Sequence, residues 1–291
     1  MWFPLALFYA TFNTVSNVAV KKLTQKIHPF HVIALLLGVT GISMLGILLF
    51  TGGIPDTSLS IYKYMAVSAI LDTIAFISAF YALRDYPISL VVPVSSFSPV
   101  FTMIFGILFL HETPTPFKFL AILLVVIGVY ILNISNDNHG YLKPIQKLAT
   151  NRGIQLFFFA NLIWSITPII QKKAISFTHP QSPLFPAMIG MILITFFMVL
   201  LSIFIGKKPF EAKEIKRHSP LIISIGIFGA FGQLAAYTVF TLTQVAYAIS
   251  VFRLSTLFTI VAGGIFFKEK DLLTRFLGAA IMIIGAILIA I

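Results

Sequence analysis

The sequence predicts an all-α membrane protein of ten transmembrane helices, built as a five-plus-five inverted repeat, and three observations carry that expectation. Of 291 residues, 58% are hydrophobic and only 10% charged, and mean hydropathy is +1.00, a balance no soluble domain of this size would carry. The apolar residues fall in unbroken runs near twenty residues long. A helix of that length crosses about 30 Å of hydrocarbon, whereas porin-like barrels show alternating segments of about ten residues. The third observation is an internal duplication. An offset of 157 positions, which carries Glu112 onto Glu269, aligns Ser89–Glu112 with Ala246–Glu269 without a gap. Val94 matches Val251, Ser98 matches Ser255, Phe101 matches Phe258, Thr102 matches Thr259 and Gly106 matches Gly263, and the match continues through Phe119 with Phe276 and Gly128 with Gly285. The period is far beyond the ~20–50 residues of solenoid repeats, so the chain has two halves rather than an array.

The elements follow in order. Met1 opens directly into an apolar run with no basic leader and no small-residue cleavage site, so no signal peptide is expected. The first span is read at about 3–20, with Asn13 and Asn17 one turn apart on one face. The second, 32–50, holds Gly38, Gly41 and Gly46, small residues suited to close helix packing. The third, 64–83, carries Asp72 near its centre and Tyr81 beyond it. The fourth, 88–110, contains Pro93 and Pro99, which must interrupt its hydrogen-bond ladder, with Ser95, Ser96 and Ser98 between and beside them. The fifth runs from about 117 to 132. The spans of the second half are read at 154–170, 184–205, 221–241, 245–267 and 272–291. Asn161, Trp164, Pro168 and Gln171 mark the sixth, and Gln233 and Tyr237 form an i, i+4 polar pair on the eighth. Domains are accordingly 1–134 and 154–291, one five-helix repeat each, joined by a polar linker at 135–153. Because five is odd, the copies enter the membrane from opposite sides, the inverted plan of many transporters.

The formal charge is +11, but the Lys and Arg residues lie in short loops between apolar runs, as topology signals do, so no nucleic-acid partner is expected. With no cysteine, disulfides and thiolate metal sites are excluded. In alternate loops, one side receives fifteen basic residues and the other only Lys63, Lys118, Lys172 and Lys173, with Arg253 set aside. The rule that cytoplasmic loops are basic then places both termini outside. The basic stretch GKKPFEAKEIKRH is read as a solvated cytoplasmic loop that can meet anionic lipid headgroups.

Arg253 and Asp72 are the chief candidate functional residues. Arg253 lies about 13 Å along a helix from Gln244, close to the midplane of a ~30 Å core. A guanidinium cannot shed its proton there and costs about 2.5–3.5 kcal/mol on lenient insertion scales, so it must face protein, water or a counter-ion. Asp72 is the other ionisable side chain near mid-membrane. The two could pair and merely fix helix register. Otherwise Arg253 binds an anion and Asp72 carries a proton. Asn13, Asn17, Trp164, Gln233, Tyr237, Tyr81, Ser95 and Ser96 are second-rank candidates for polar lining, against the plainer reading of interhelical hydrogen bonds worth about 0.6 kcal/mol each. Glu112 and Glu269 sit at helix ends and are read as structural anchors. No catalytic residue is expected. His111 adjoins Glu112 without a second ligand at metal-binding spacing, and Asp72 has no second intramembrane aspartate, so neither a metal nor an aspartyl site is expected.

With the duplicated halves in view, the chain resembles the EamA branch of the drug/metabolite transporter superfamily. The resembling residues are WSITPIIQKKA at Trp164–Ala174, its weaker partner NTVSNVAVKKL at Asn13–Leu23, and Glu112 and Glu269, each followed by a helix with a late glycine, Gly128 and Gly285. The resemblance covers essentially the whole chain. It implies a secondary carrier or exporter of small metabolites, with a central cavity lined mainly by the first, third, fourth, sixth, eighth and ninth helices. It also implies cytoplasmic termini, opposite to the loop count, which remains thirteen against two when Lys21, Lys22, Lys172 and Lys173 are omitted.

The expected function is alternating-access transport of a small organic solute, an amino acid or related metabolite, with export as the expected direction and the cell (inner) membrane as the location. The expected partners are that solute and membrane lipids. No cofactor is expected; coupling to a proton or another ion stays open, as does the oligomeric state. The rivals are a lipid-handling or accessory membrane protein without solute transport and, further off, a membrane-embedded enzyme.

Overall fold

The computed structural model describes residues 1–51, 53–86, 92–133, 150–204, 212–259 and 272–291. Most of the linker, the start of the fourth span, the end of the ninth and Glu269 lie outside the described residues. Ten α-helices occur among those described: α1 (Trp2–Leu23), α2 (Pro29–Thr51), α3 (Ser60–Asp85), α4 (Ser98–Leu110), α5 (Pro116–Asn133), α6 (Arg152–Ile175), α7 (Leu184–Phe204), α8 (Ala212–Leu242), α9 (Val245–Phe252) and α10 (Leu272–Ala290). A 3-10 turn, Val92–Phe97, precedes α4. Six of the helices, α1, α2, α3, α6, α7 and α8, are long and apolar enough to cross a membrane, and the other apolar helices are shorter as described. Large apolar side chains including Ile42, Leu49, Leu120 and Phe196 are exposed on the helix surfaces. That is the surface a hydrocarbon solvent requires and water does not tolerate in quantity.

The chain divides into two compact units that do not follow the order of the sequence. One comprises Met1–Thr73 and Ile170–Leu242, the other Ile74–Ile169 and Thr243–Ile291. In the first unit α2 packs on α7, and α8 on α1 and α2. Close approach is set by small residues on α8. A Cβ at Gly232 would lie 2.2 Å from the ring of Phe12, and one at Gly229 would lie 2.5 Å from Thr40 Oγ1. The Thr40 hydroxyl donates to Gly226 O across the α2–α8 contact at 3.0 Å. A two-stranded antiparallel ribbon, with Asp56 opposite His179 and Thr57 opposite Thr178, ties the α2–α3 and α6–α7 connections together.

Two boundaries correct the sequence reading. Helix α8 begins at Ala212, so the second part of GKKPFEAKEIKRH is helix rather than loop. Ile215 explains this, because it packs on a buried cluster of Ala19, Leu23, Ile27, Val32, Leu36, Ile222 and Ile225, so burial holds the extra turns in helical form. The ninth span is not one uninterrupted helix. Helix α9 stops at Phe252 and Arg253 forms a turn, after which the apolar helical stretch continues to Thr259.

In the second unit α5 packs on α10, and α9 on α4. The α5–α10 crossing is reciprocal. A Cβ at Gly128 would lie 2.7 Å from both Gly278 O and Met282 N, and one at Gly285 would lie 2.9 Å from both Ala121 O and Val125 N. The offset that carries Gly128 onto Gly285 also carries Ala121 onto Gly278 and Val125 onto Met282. Contacts move down α10 as they move up α5, so these sequence-equivalent helices run antiparallel.

Candidate functional site

Each unit holds one of the two mid-span ionisable side chains, and each has its own polar setting. In the second unit, α4 and α9 face each other and both are irregular at equivalent places. Pro93 and Pro99 remove backbone donors, and the chain before Ser98 tightens into the 3-10 turn. On the other helix no proline is present at the break. Arg253 N–H still reaches Ile249 O at 3.1 Å, but Thr256 N–H returns only three residues, to Arg253 O, at 2.9 Å. The 157-residue offset places Arg253 opposite Ser96, inside the 3-10 turn.

The Arg253 guanidinium is directed at α4. Its Nε donates to Ser98 Oγ at 2.8 Å, and its Nη2 donates to the same oxygen. Ser98 is 1% exposed, and its carbonyl accepts from Ser165 Oγ of α6 at 3.3 Å. Ser165 also donates to Asn161 O at 2.6 Å, while Asn161 Nδ2 donates to Phe157 O at 2.8 Å. A chain of neutral donors thus fixes the serine that receives the cation. Ser95 and Ser96 are buried within the same turn.

In the first unit, Asp72 is 6% exposed and accepts on Oδ2 from Ser68 Oγ at 3.3 Å and from Gln171 Nε2 of α6 at 3.4 Å. Gln171 also donates to Ser68 Oγ at 3.1 Å, closing a triangle. Ser68 is not among the sequence candidates; its i, i+4 spacing to Asp72 on one helix face is the signal that points to it. Tyr237, 2% exposed, lies in the same unit with its hydroxyl buried.

The second-rank candidates separate. Asn17 Nδ2 donates to Asn13 Oδ1 at 3.0 Å, so these two are joined along α1. Trp164 is half-buried and meets Phe76 edge to face, with ring centroids 5.4 Å apart. The guanidinium of Arg84 lies over the Tyr81 ring at 4.7 Å, so that ring packs on the charged end of α3. Gln233 is half-buried on α8.

Glu112 holds α9 in place. His111 takes the left-handed conformation, φ 55°, at the end of α4, and Glu112 N–H donates to Gly106 O at 3.1 Å. The turn points the carboxylate across to α9, where Oε2 accepts from Val245 N–H at 2.9 Å. Gln244 Nε2 donates to Thr113 O at 3.1 Å, and Lys118 Nζ sits 5.1 Å from the centroid of the Tyr247 ring. A carboxylate at a helix N-terminus satisfies an orphan donor and complements the helix dipole. Glu112→Ala is therefore expected to lose about 0.5–2 kcal/mol, and Glu112→Gln, which keeps an acceptor, less. Unfolding in mixed micelles measures both.

These features define a multi-pass integral membrane protein with a buried carboxyl group inside α3 and a half-buried guanidinium at the turn after α9. The model of the EamA-like transporter family matches residues 1–134 and 151–291. The chain belongs to this family, which is part of the drug/metabolite transporter superfamily. It is 37% identical over 133 residues to the uncharacterized protein MJ1333.1 of Methanocaldococcus jannaschii, a match covering 45% of this chain and 96% of that protein. A solved crystal structure of another protein is similar with a TM-score of 0.77 over 100% of this chain and 98% of that chain, at 13% sequence identity, a likeness of fold.

Proposed function

We propose that the protein is a secondary transporter that moves a small organic solute, an amino acid or related metabolite, out of the cell by alternating access. The observation that carries the reading is the contact in the second unit between Arg253, in the turn that ends α9, and Ser98, where the 3-10 turn gives way to α4. Interrupted helices that present charge at membrane depth are how many carriers hold solutes. Arg253 binds an anionic group of the solute, and a guanidinium presents a fork that suits a carboxylate. The 3-10 turn and the turn at Arg253 supply the compliance. The antiparallel, reciprocal contact of α5 with α10 supports an inverted repeat, because equivalent helices of inverted halves must run in opposite directions. The basic-residue count favours termini outside the cell membrane.

The test is solute exchange in proteoliposomes, together with thermal stability of the purified protein against amino acids, organic anions, sugars and lipophilic cations. A solute that binds the folded state raises its apparent stability. The expected result is that one class containing a carboxylate both stabilises and exchanges. Exchange of sugars alone would overturn the role given to Arg253, and the absence of any exchange would overturn the transport reading.

A further inference from the structure

We infer that the first unit contains a binding site for a protonated amine, formed by Tyr237 of α8 with Asp72 and Ser68 of α3 and Gln171 of α6. The inference rests on the solute-carrier reading above.

The Tyr237 hydroxyl is the starting point. It is fully enclosed, on a residue 2% exposed, and among the described residues it has no hydrogen-bond partner. Buried hydroxyls are nearly always bonded, and one that is not lowers stability, so a phenol retained here rather than a phenylalanine needs a reason. Its surroundings supply one. A Cβ at Gly190 of α7 would lie 3.4 Å from the Tyr237 oxygen and 2.7 Å from Met65 Cε, so α7 is bare where the hydroxyl and α3 come together. Met65, Ser68 and Asp72 follow at i, i+3 and i+7 and therefore share one face of α3. The hydroxyl lies near Met65, on the face that also carries the carboxylate, and Asp72 lies within electrostatic reach of it.

The donor and acceptor inventory selects the ligand. Asp72 Oδ2 accepts, the phenol oxygen accepts, and Ser68 and Gln171 hold the carboxylate in position. An ammonium group carries three donors and no acceptor, so it can serve the carboxylate and the phenol together. Its charge makes the bond to the carboxylate stronger than any neutral donor would.

The test uses the full-length protein in detergent. Small alkylamines and amino acid amides, which are cations without a carboxylate, are titrated by thermal shift beside carboxylic acids of matched size, on wild type, Tyr237→Phe, Asp72→Asn and Ser68→Ala. Amines are expected to raise the apparent Tm of wild type. Tyr237→Phe is expected to melt above wild type without ligand, yet to bind amines about tenfold more weakly or worse. Asp72→Asn should lose the amine response. If that variant does not fold, Ser68→Ala should show a smaller loss in the same direction. A lower ligand-free Tm for Tyr237→Phe would mean that the hydroxyl already has a native partner, and the site falls. Stabilisation by acids but not by amines also removes the site, while leaving the transporter reading in place. If no solute stabilises wild type and proteoliposomes show no exchange, both fall together.

Discussion

Substituting alanine at Gly128 or at Gly285 is expected to destabilise the protein by about 1–3 kcal/mol each, the usual cost of overpacking, and valine at either position by more. The reason is the identity of the atoms a new methyl group would meet. At Gly128 they are Met282 Cγ at 2.5 Å and the backbone of Gly278 and Met282 at 2.7 Å; at Gly285 they are Val125 Cγ2 at 2.8 Å and the backbone of Ala121 and Val125 at 2.9 Å. A side chain can turn away, but a helix backbone cannot move without opening the crossing. Because the two contacts are reciprocal, the two alanine variants should lose similar amounts. Because both open the same α5–α10 crossing, the double variant should lose less than the sum. Unfolding in mixed micelles measures all three. Unequal losses with simple additivity would count against the local two-fold relation on which the proposed inverted repeat rests.

Those glycines were visible in the sequence as a repeated pair, but their purpose was not. Identity at the 157-residue offset pairs the two helices by sequence. It could not show that the pair touches, because contact across the duplication is a tertiary fact. The glycines of α8 recur every third residue, but which side chains they admit, here Phe12 and Thr40, depends on the neighbouring helices and not on that spacing. Helical spans were legible because apolar length is a direct physical requirement of the bilayer. The early start of α8 is not legible, since charged residues before a span read as loop unless an apolar residue among them, here Ile215, is known to have a buried seat. Asp72 and Arg253 stood out by cost alone. Their partners Ser68, Gln171 and Ser98 are ordinary polar residues whose importance depends on direction, which spacing only partly conveys. Glu112 reads from the sequence as a helix-end anchor, while the group it holds, the first N–H of α9, lies more than a hundred residues away in the chain.

The largest functional effect is expected at Arg253 and Ser98. Arg253→Ala should abolish both solute exchange and solute-dependent stabilisation, because no neighbouring cation on α9 can replace a guanidinium at that depth. Arg253→Lys should recover little. An ammonium keeps the charge but not the planar fork whose Nε and Nη2 both donate to Ser98 Oγ. Ser98→Ala removes the acceptor that aims the guanidinium, and a hydrogen bond to a charged group is worth about 1.5–3 kcal/mol, so solute affinity should fall roughly ten- to a hundredfold. If serine acts only by aiming arginine, the double variant should be no worse in exchange than Arg253→Ala alone. Stability separates this from a purely architectural role. Either single change will lower the ligand-free Tm, since each leaves a buried polar group with one partner fewer. Only a binding role also flattens the response to solute. A variant that melts early yet is stabilised by solute as fully as wild type would assign Arg253 to helix packing, and the solute's anionic group would then have to be sought elsewhere in the second unit, beginning with Ser95 and Ser96 of the adjoining turn.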